Sequence, residues 1–284
     1  MFTLKSENGA QDVLRYMKFY AETSTHDGDV YDCHIAPEIT HFIDVEGVFT
    51  IDGRDYEIRP GDVFILRSNE KHRISRITRP GTLENINFDP AFLWQGGDAF
   101  YLNYMSVFTC AGDFENRLCR ENPAHETVVG LIERINDEFL KKDFGYAHMV
   151  RMHFFTVMLT LVRSFGYKIS ETSGVHAPHV EAIRESMRYI DEHLSENLSL
   201  PRLAEIANLS TNYYGTLFKS LNGVTPVEYI TSKRVLCAIS LLPGFKGTML
   251  ELALACGFNN TANFNRAFRA YTGQVPSRYV PPKI

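Results

Sequence analysis

The chain lacks paired cysteines, a membrane-length apolar run and any large excess of charge. Its five cysteines, Cys33, Cys110, Cys119, Cys237 and Cys256, are scattered over 284 residues. No CxxC pair occurs, which argues against a zinc ribbon or a dithiol redox motif. Met1–Gln11 has no basic-then-apolar signal, so with so few cysteines the expected compartment is a reducing cytoplasm. The most apolar segment, Met149–Val162, is too short for a bilayer and contains Arg151 and His153, which predicts a buried helix. Lys and Arg number 29 against 34 Asp and Glu, a net charge of −5 that by itself speaks against nucleic acid as a partner. What is present is ordinary: 44% hydrophobic residues are enough to fill cores. The length is that of about two domains at roughly 100–200 residues each.

Residues 30–90 read as β-structure. Val48-Phe49-Thr50-Ile51 runs into Asp52-Gly53, and Tyr56 and Ile58 then alternate with polar neighbours. Asp-Gly between two such runs is a hairpin signal, because both turn residues accept positive φ. Pro60-Gly61 precedes the apolar run Val63–Leu66, and Pro80-Gly81 precedes Leu83–Phe88. Short strands with tight turns predict an antiparallel barrel or sandwich. From Glu126 the period becomes helical. Val129, Ile132, Ile135 and Phe139 mark one face, and a second helix is expected over Tyr146–Phe165, apolar nearly all round. Ser170–Pro178 has the composition of a linker. The expected domains are therefore 1–169, a linker at 170–178, and 179–284.

The last hundred residues repeat themselves. Phe218, Gly223, Pro226 and Tyr229 recur fifty residues later as Phe268, Gly273, Pro276 and Tyr279, while upstream Ala204 and Leu209 match Ala253 and Phe258 at an offset of 49. A one-residue slip thus falls in a turn. Each copy pairs a short helix with a second one across that turn, which is the helix-turn-helix plan. The second helices are two-faced. Tyr214, Leu217, Phe218 and Leu221 are apolar, with Thr211, Asn212, Gly215, Thr216 and Lys219 opposite. In the other copy Phe264, Ala267, Phe268 and Tyr271 lie opposite Thr261, Ala262, Asn265, Arg266 and Arg269. Small, amide and basic side chains suit a major groove, where Asn reads adenine and Arg reads guanine. The charge divides in the same way. Residues 181–284 carry 11 Lys and Arg against 8 acids, or +3, leaving −8 on the remainder.

Leu198–Tyr279, through LSLPRLAEIANLS, LFKSLNGVTPVEYI, KRVLCAISLL, LELALACGFNN and NFNRAFRAYTGQVPSRY, resembles the DNA-binding domain of the AraC/XylS family of transcription regulators. The resemblance implies two helix-turn-helix units joined by a linker helix, promoter DNA and RNA polymerase as partners, and a homodimer. It puts base-reading positions at Asn212, Gly215 and Thr216 and at Thr261, Ala262, Asn265 and Arg266. Gly215 and Ala262 offer no polar side chain, so Asn265 and Arg266 are expected to carry more of the specificity. Lys219 and Arg269 are candidate phosphate contacts. Arg234 matches the family's linker-helix arginine, for which a structural role, pairing across the two subdomains, and a phosphate contact both stay open. For Asn212 the competing reading is a helix cap.

The stretch GVFTIDGRDYEIRPGDVFILRSNEKH resembles the cupin-like sensor domain that often precedes such a DNA-binding domain. The expected class is thus α+β, an N-terminal antiparallel β-barrel with a helical appendage followed by an all-α domain. Catalytic cupins hold metal through an HxH…E…H set. Here His34 and His72 fit the first and last places, but Ala36 and Thr40 occupy the other two, and Glu38 and His41 read as out of register. No metal or other cofactor is expected on that pattern. His34 and His72 become candidate ligand-binding residues in a pocket for a small-molecule effector of unknown class. The helices at 126–141 and 146–165 resemble the family's dimerisation region. The reading is a ligand-responsive, sequence-specific DNA-binding regulator and not an enzyme. Two alternatives stay open, a metal-dependent cupin enzyme with an appended DNA-binding module, and an interaction module that uses its helical domain for assembly.

Overall fold

Ten strands and eight α-helices are described in the computed structural model, which covers residues 2–5, 12–25, 31–32, 34, 36–88, 115–165, 177–272 and 274–279. Contacts separate two compact units, one built on 1–32 and 36–173 and the other on 33–35 and 174–284. Residues 170–176 of the expected linker lie outside the described residues, and its last two, Ala177 and Pro178, open a helix.

The N-terminal unit holds the strands β1 (Phe2–Lys5), β2 (Asp12–Ala21), β3 (Ser24–Thr25), β4 (Glu38–Phe42), β5 (Glu46–Ile51), β6 (Arg54–Ile58), β7 (Val63–Leu66), β8 (His72–Arg79), β9 (Gly81–Phe88) and β10 (Arg117–Leu118). They form two antiparallel sheets, ordered β1-β2-β9-β4-β7-β10 and β3-β8-β5-β6. The Asp52-Gly53 hairpin joins β5 to β6, with φ of 46° and 80° at its two turn residues.

The expected antiparallel N-terminal domain is there as two facing sheets, and among the described residues no strand of one sheet pairs with a strand of the other. Their apolar faces close on one core. Phe42, Phe64, Leu66 and Leu83 come from the first sheet, and Phe49, Ile51, Ile58 and Ile77 from the second. Edge-to-face contacts join Phe42, Phe49 and Phe64 at 5.2–5.7 Å between centroids. Gly47 is where β5 runs hardest against β8, because a Cβ there would stand 2.0 Å from the Arg76 carbonyl oxygen.

Alternation in β2, β4 and β9 gives the first sheet two working faces. Leu83 and Phe42 point into the shared core, while the other parity meets helices α1 (His125–Lys141) and α2 (Tyr146–Phe165). Tyr16 packs on Phe139 of α1, and Phe88 on Phe154 of α2. The buried stripe of α1 is Val128, Leu131, Ile132, Ile135 and Phe139, with Val128 in place of the expected Val129. In α2 only one side is covered, by Val150, Phe154, Val157, Met158 and Leu161, leaving Met149 and Met152 exposed.

The C-terminal unit is helical: α3 (Ala177–Glu192), α4 (Leu200–Ile206), α5 (Thr211–Asn222), α6 (Pro226–Leu241), α7 (Met249–Ala255) and α8 (Thr261–Thr272). The caps are those the sequence supplies. Ser199 and Ser210 accept from backbone N–H groups of α4 and α5, while Thr225 with Glu228 and Thr248 with Glu251 form capping boxes. The Gly223 N–H bonds to the Lys219 carbonyl with φ of 74°, which ends α5.

Candidate nucleic-acid interface and effector site

The two helix-turn-helix units, α4–α5 and α7–α8, repeat in atomic detail. The Leu209 N–H bonds to the Ala204 carbonyl at 2.9 Å, and the Phe258 N–H bonds to the Ala253 carbonyl at 2.9 Å. Asn208 and Gly257 hold the same left-handed turn position, with φ of 52° and 86°. Ser210 accepts from the Tyr213 N–H, and Asn260 from the Asn263 N–H. The turn anchors keep the offset of 49 and these caps the offset of 50, so the extra residue of the second unit is Asn259. Ala207 and Cys256 are the small buried residues between the helices.

Burial puts the proposed reading faces outward. In α5, Tyr214, Leu217, Phe218 and Leu221 are buried. Asn212, Thr216 and Lys219 are exposed, and Thr211 and Gly215 partly so. In α8, Phe264 and Phe268 are buried. Ala262, Asn265, Arg266 and Arg269 are exposed and Thr261 partly so. Ser210, not Asn212, caps α5, and the Asn212 carbonyl accepts the Thr216 hydroxyl at 3.0 Å. The Arg266 guanidinium donates to Asn263 Oδ1 at 2.7 Å, one turn back on the same helix. The sequence reading passed over Asn263, although its i,i+3 spacing to Arg266 signals the contact. A Cβ at Gly215 would meet nothing nearer than Leu200 Cδ2 at 4.0 Å, so packing does not demand glycine there.

The linker-helix arginine acts inside the unit. Arg234 donates to the Leu194 carbonyl at 2.9 Å and the Glu196 carbonyl at 2.7 Å. Burial holds its pKa below the usual guanidinium value. On the same helix the buried Lys233 ammonium meets Asp191 at 3.1 Å, and the Tyr229 hydroxyl reaches the same carboxylate at 3.3 Å. These ties fix α6, the element joining the two helix-turn-helix units, to the end of α3. Sixteen residues make α6 about 24 Å long at 1.5 Å per residue.

Of the two histidines singled out from sequence, His72 lies in the N-terminal unit, whereas His34 groups with the C-terminal one. His72 sits against Phe49 in the shared core. Glu38 lies two residues from Thr40 and so faces the same way, which corrects the register assigned to it above. His41 has the opposite parity and meets Glu84 at 2.7 Å on the helix-covered face. The Tyr16 hydroxyl also donates to Glu84, and Lys18 lies 3.9 Å away. Burial alone would raise the Glu84 pKa, but bonds with His41 and Tyr16 and the nearby Lys18 ammonium outweigh it and hold it below the usual carboxylate value.

A two-sheet domain with polar side chains in its core, together with paired helix-turn-helix units whose amide and basic faces point outward, defines a DNA-binding regulator with a ligand domain. Residues 21–135 match the AraC-like ligand binding domain, and residues 203–280 match a helix-turn-helix domain. The HTH-type transcriptional activator RhaR of Enterobacter sp. (strain 638) is 24% identical over 281 residues, 95% of this chain and 97% of that one. The probable transcriptional regulator LumQ of Photobacterium leiognathi is 35% identical over 91 residues, 32% of this chain, and the match spans only 37% of that protein. The fold is also that of unsaturated fatty acid bound ToxT from Vibrio cholerae, with a TM-score of 0.57, 15% identity and 95% of each chain covered. The chain belongs to the AraC family of ligand-responsive, DNA-binding transcription regulators. No described helix is long and apolar enough to cross a membrane.

Proposed function

We propose that α5 and α8 are the recognition helices and that they enter successive major grooves of a promoter. The observation that carries this is the atomic equivalence of the two units with both polar faces exposed. Asn212 and Thr216 on α5, and Asn265 and Arg266 on α8, contact base edges. Thr211, Gly215, Thr261 and Ala262 lie against the groove, the last two offering a methyl to thymine. Lys219 and Arg269, at matching places on the two helices, bind phosphates. The N-terminal unit takes a small-molecule effector between its sheets, beside His72. Occupancy shifts the population of a DNA-binding form. Two chains pair through the exposed Met149 and Met152 side of α2, and the DNA-bound protein contacts RNA polymerase in the cytoplasm. Relatives aligned over almost the whole chain are regulators, which supports regulation rather than catalysis as the role of the N-terminal unit.

Enrichment of DNA from a random-sequence library by the full chain tests this reading. A single shared motif is expected, and recovery of no motif at low salt overturns it. On the selected site, Lys219→Ala is expected to weaken binding uniformly across sequences and to reduce the slope of log affinity against log salt by about 0.9, one phosphate contact's worth. An unchanged slope, or a loss confined to one base position, removes Lys219 from the phosphate contacts.

A further inference from the structure

Two of the five cysteines meet inside the C-terminal unit. Cys237 lies on α6, one turn before its end, and Cys256 directly follows the last residue of α7. Helical spacing aims both at one core. Leu252, Ala253 and Cys256 fall at i, i+1 and i+4 on the buried side of α7, and Val235 and Ala238 are the buried residues of α6 beside Cys237. Backbone bonds hold each in place. The Cys256 N–H reaches the Leu252 carbonyl at 3.1 Å, and the Cys237 carbonyl accepts the Ser240 hydroxyl at 2.8 Å.

The two thiols differ in what they can do. Cys256 is fully buried, whereas Cys237 is partly exposed and packs against the same cluster. The Cys256 S–H donates to the Cys237 sulfur. That bond holds the Cys237 pKa below the usual thiol value against the opposing pull of burial, and together with burial it raises that of Cys256. A reachable thiolate beside a buried thiol is the arrangement in which one sulfur is oxidised and the other resolves it. The remaining described cysteine, Cys119, belongs to the other unit.

We propose that Cys237 and Cys256 are a site of reversible oxidation by hydrogen peroxide, ending in a disulfide between them. The Cys237 thiolate attacks one peroxide oxygen, the O–O bond breaks, and hydroxide leaves to be protonated to water. The Cys237 sulfenic acid then meets the Cys256 sulfur. The S–S bond forms as the sulfenic S–O bond breaks, and the Cys256 proton leaves with that oxygen as a second water. Two thiols and one peroxide give one disulfide and two waters, and exchange with a dithiol restores the thiols. Sulfurs already in contact need only side-chain rotation to reach a bond length of about 2.05 Å. The bond staples α6 to the turn of the second helix-turn-helix unit. The first unit cannot form one, because Ala207 stands where Cys256 does. The site goes beyond the proposed function and does not depend on DNA binding.

Peptide mapping of the peroxide-treated full chain, with free thiols blocked before a non-reducing tryptic digest, tests the site. Cleavage after Arg234, Lys246 and Arg266 places the two cysteines on separate peptides, 235–246 and 247–266, neither of which holds another cysteine. The two peptides are expected joined through their cysteines and separated again by dithiothreitol. In the untreated folded chain, iodoacetamide is expected to label 235–246 roughly tenfold faster than 247–266. Cys256→Ala takes the residue that the first unit already carries at that place, so it should keep the circular dichroism spectrum and lose the joined peptides. Peptides that stay separate after peroxide, equal labelling of the two in the folded chain, or a link from Cys237 mainly to Cys33, Cys110 or Cys119 overturns the inference.

Discussion

Gly257→Ala is expected to cost the C-terminal unit about 3 kcal/mol or more, which lowers its melting temperature by roughly 10 °C or more in a unit of about 100 residues. The left-handed backbone is the smaller part of this cost, since Asn208 holds the equivalent turn at φ of 52° with a side chain in place. Close approach is the larger part. A Cβ on Gly257 would stand 2.1 Å from the Leu194 carbonyl oxygen and 2.6 Å from Arg234 Nε, so it would push apart the contact through which Arg234 ties α6 to the end of α3. Gly257→Asn should be as damaging, whereas Asn208→Gly should be nearly neutral. Thermal unfolding followed by far-ultraviolet circular dichroism reads all three. A shift of only a few degrees for Gly257→Ala would show that the turn yields and that the Arg234 contact is not rigid.

Arg266→Ala is expected to relax specificity at one base position of the operator and to cost about 1–3 kcal/mol there. Arg266 is exposed on α8 and is steadied by Asn263 at 2.7 Å. Its loss should therefore remove a discriminating contact without disturbing the core around Phe264 and Phe268. Asn263→Ala should relax the same position to a smaller degree, because the guanidinium stays but is less ordered. Binding-site selection with each variant distinguishes these outcomes. A motif and affinity unchanged in Arg266→Ala would remove it from the base-reading residues.

The helical half was legible because its signals are local. Ser210, Thr225 and Thr248 announce helix starts, Gly223 announces a stop, and the repeat declares that two units share one plan. Even the slip in the repeat had a physical seat, the extra turn residue Asn259. The sheet half was less legible, because its determinants are pairings between distant residues. β2 escaped notice although Leu14 and Tyr16 alternate into the helix-facing core, since the neighbouring Lys18, Phe19 and Tyr20 are exposed and blur the period. Strand count and turns led to a barrel or a sandwich, and neither of them fixes whether edge strands pair. Glu38 was set aside by comparison with a family pattern, yet a spacing of two from Thr40 already put both on one face of β4. Which side of α2 is covered also depends on partners that spacing alone does not name, and burial selects Val150, Phe154, Val157, Met158 and Leu161.

The central claim is that one chain reads DNA with both of its helix-turn-helix units. Hydroxyl-radical footprinting of the full chain on its selected site tests this most directly. Two protected patches per bound chain are predicted, centred about one helical turn, or about 10 base pairs, apart. The patch assigned to α8 should weaken in Arg266→Ala while the other persists. A single protected patch per bound chain, unchanged by that substitution, would contradict the account.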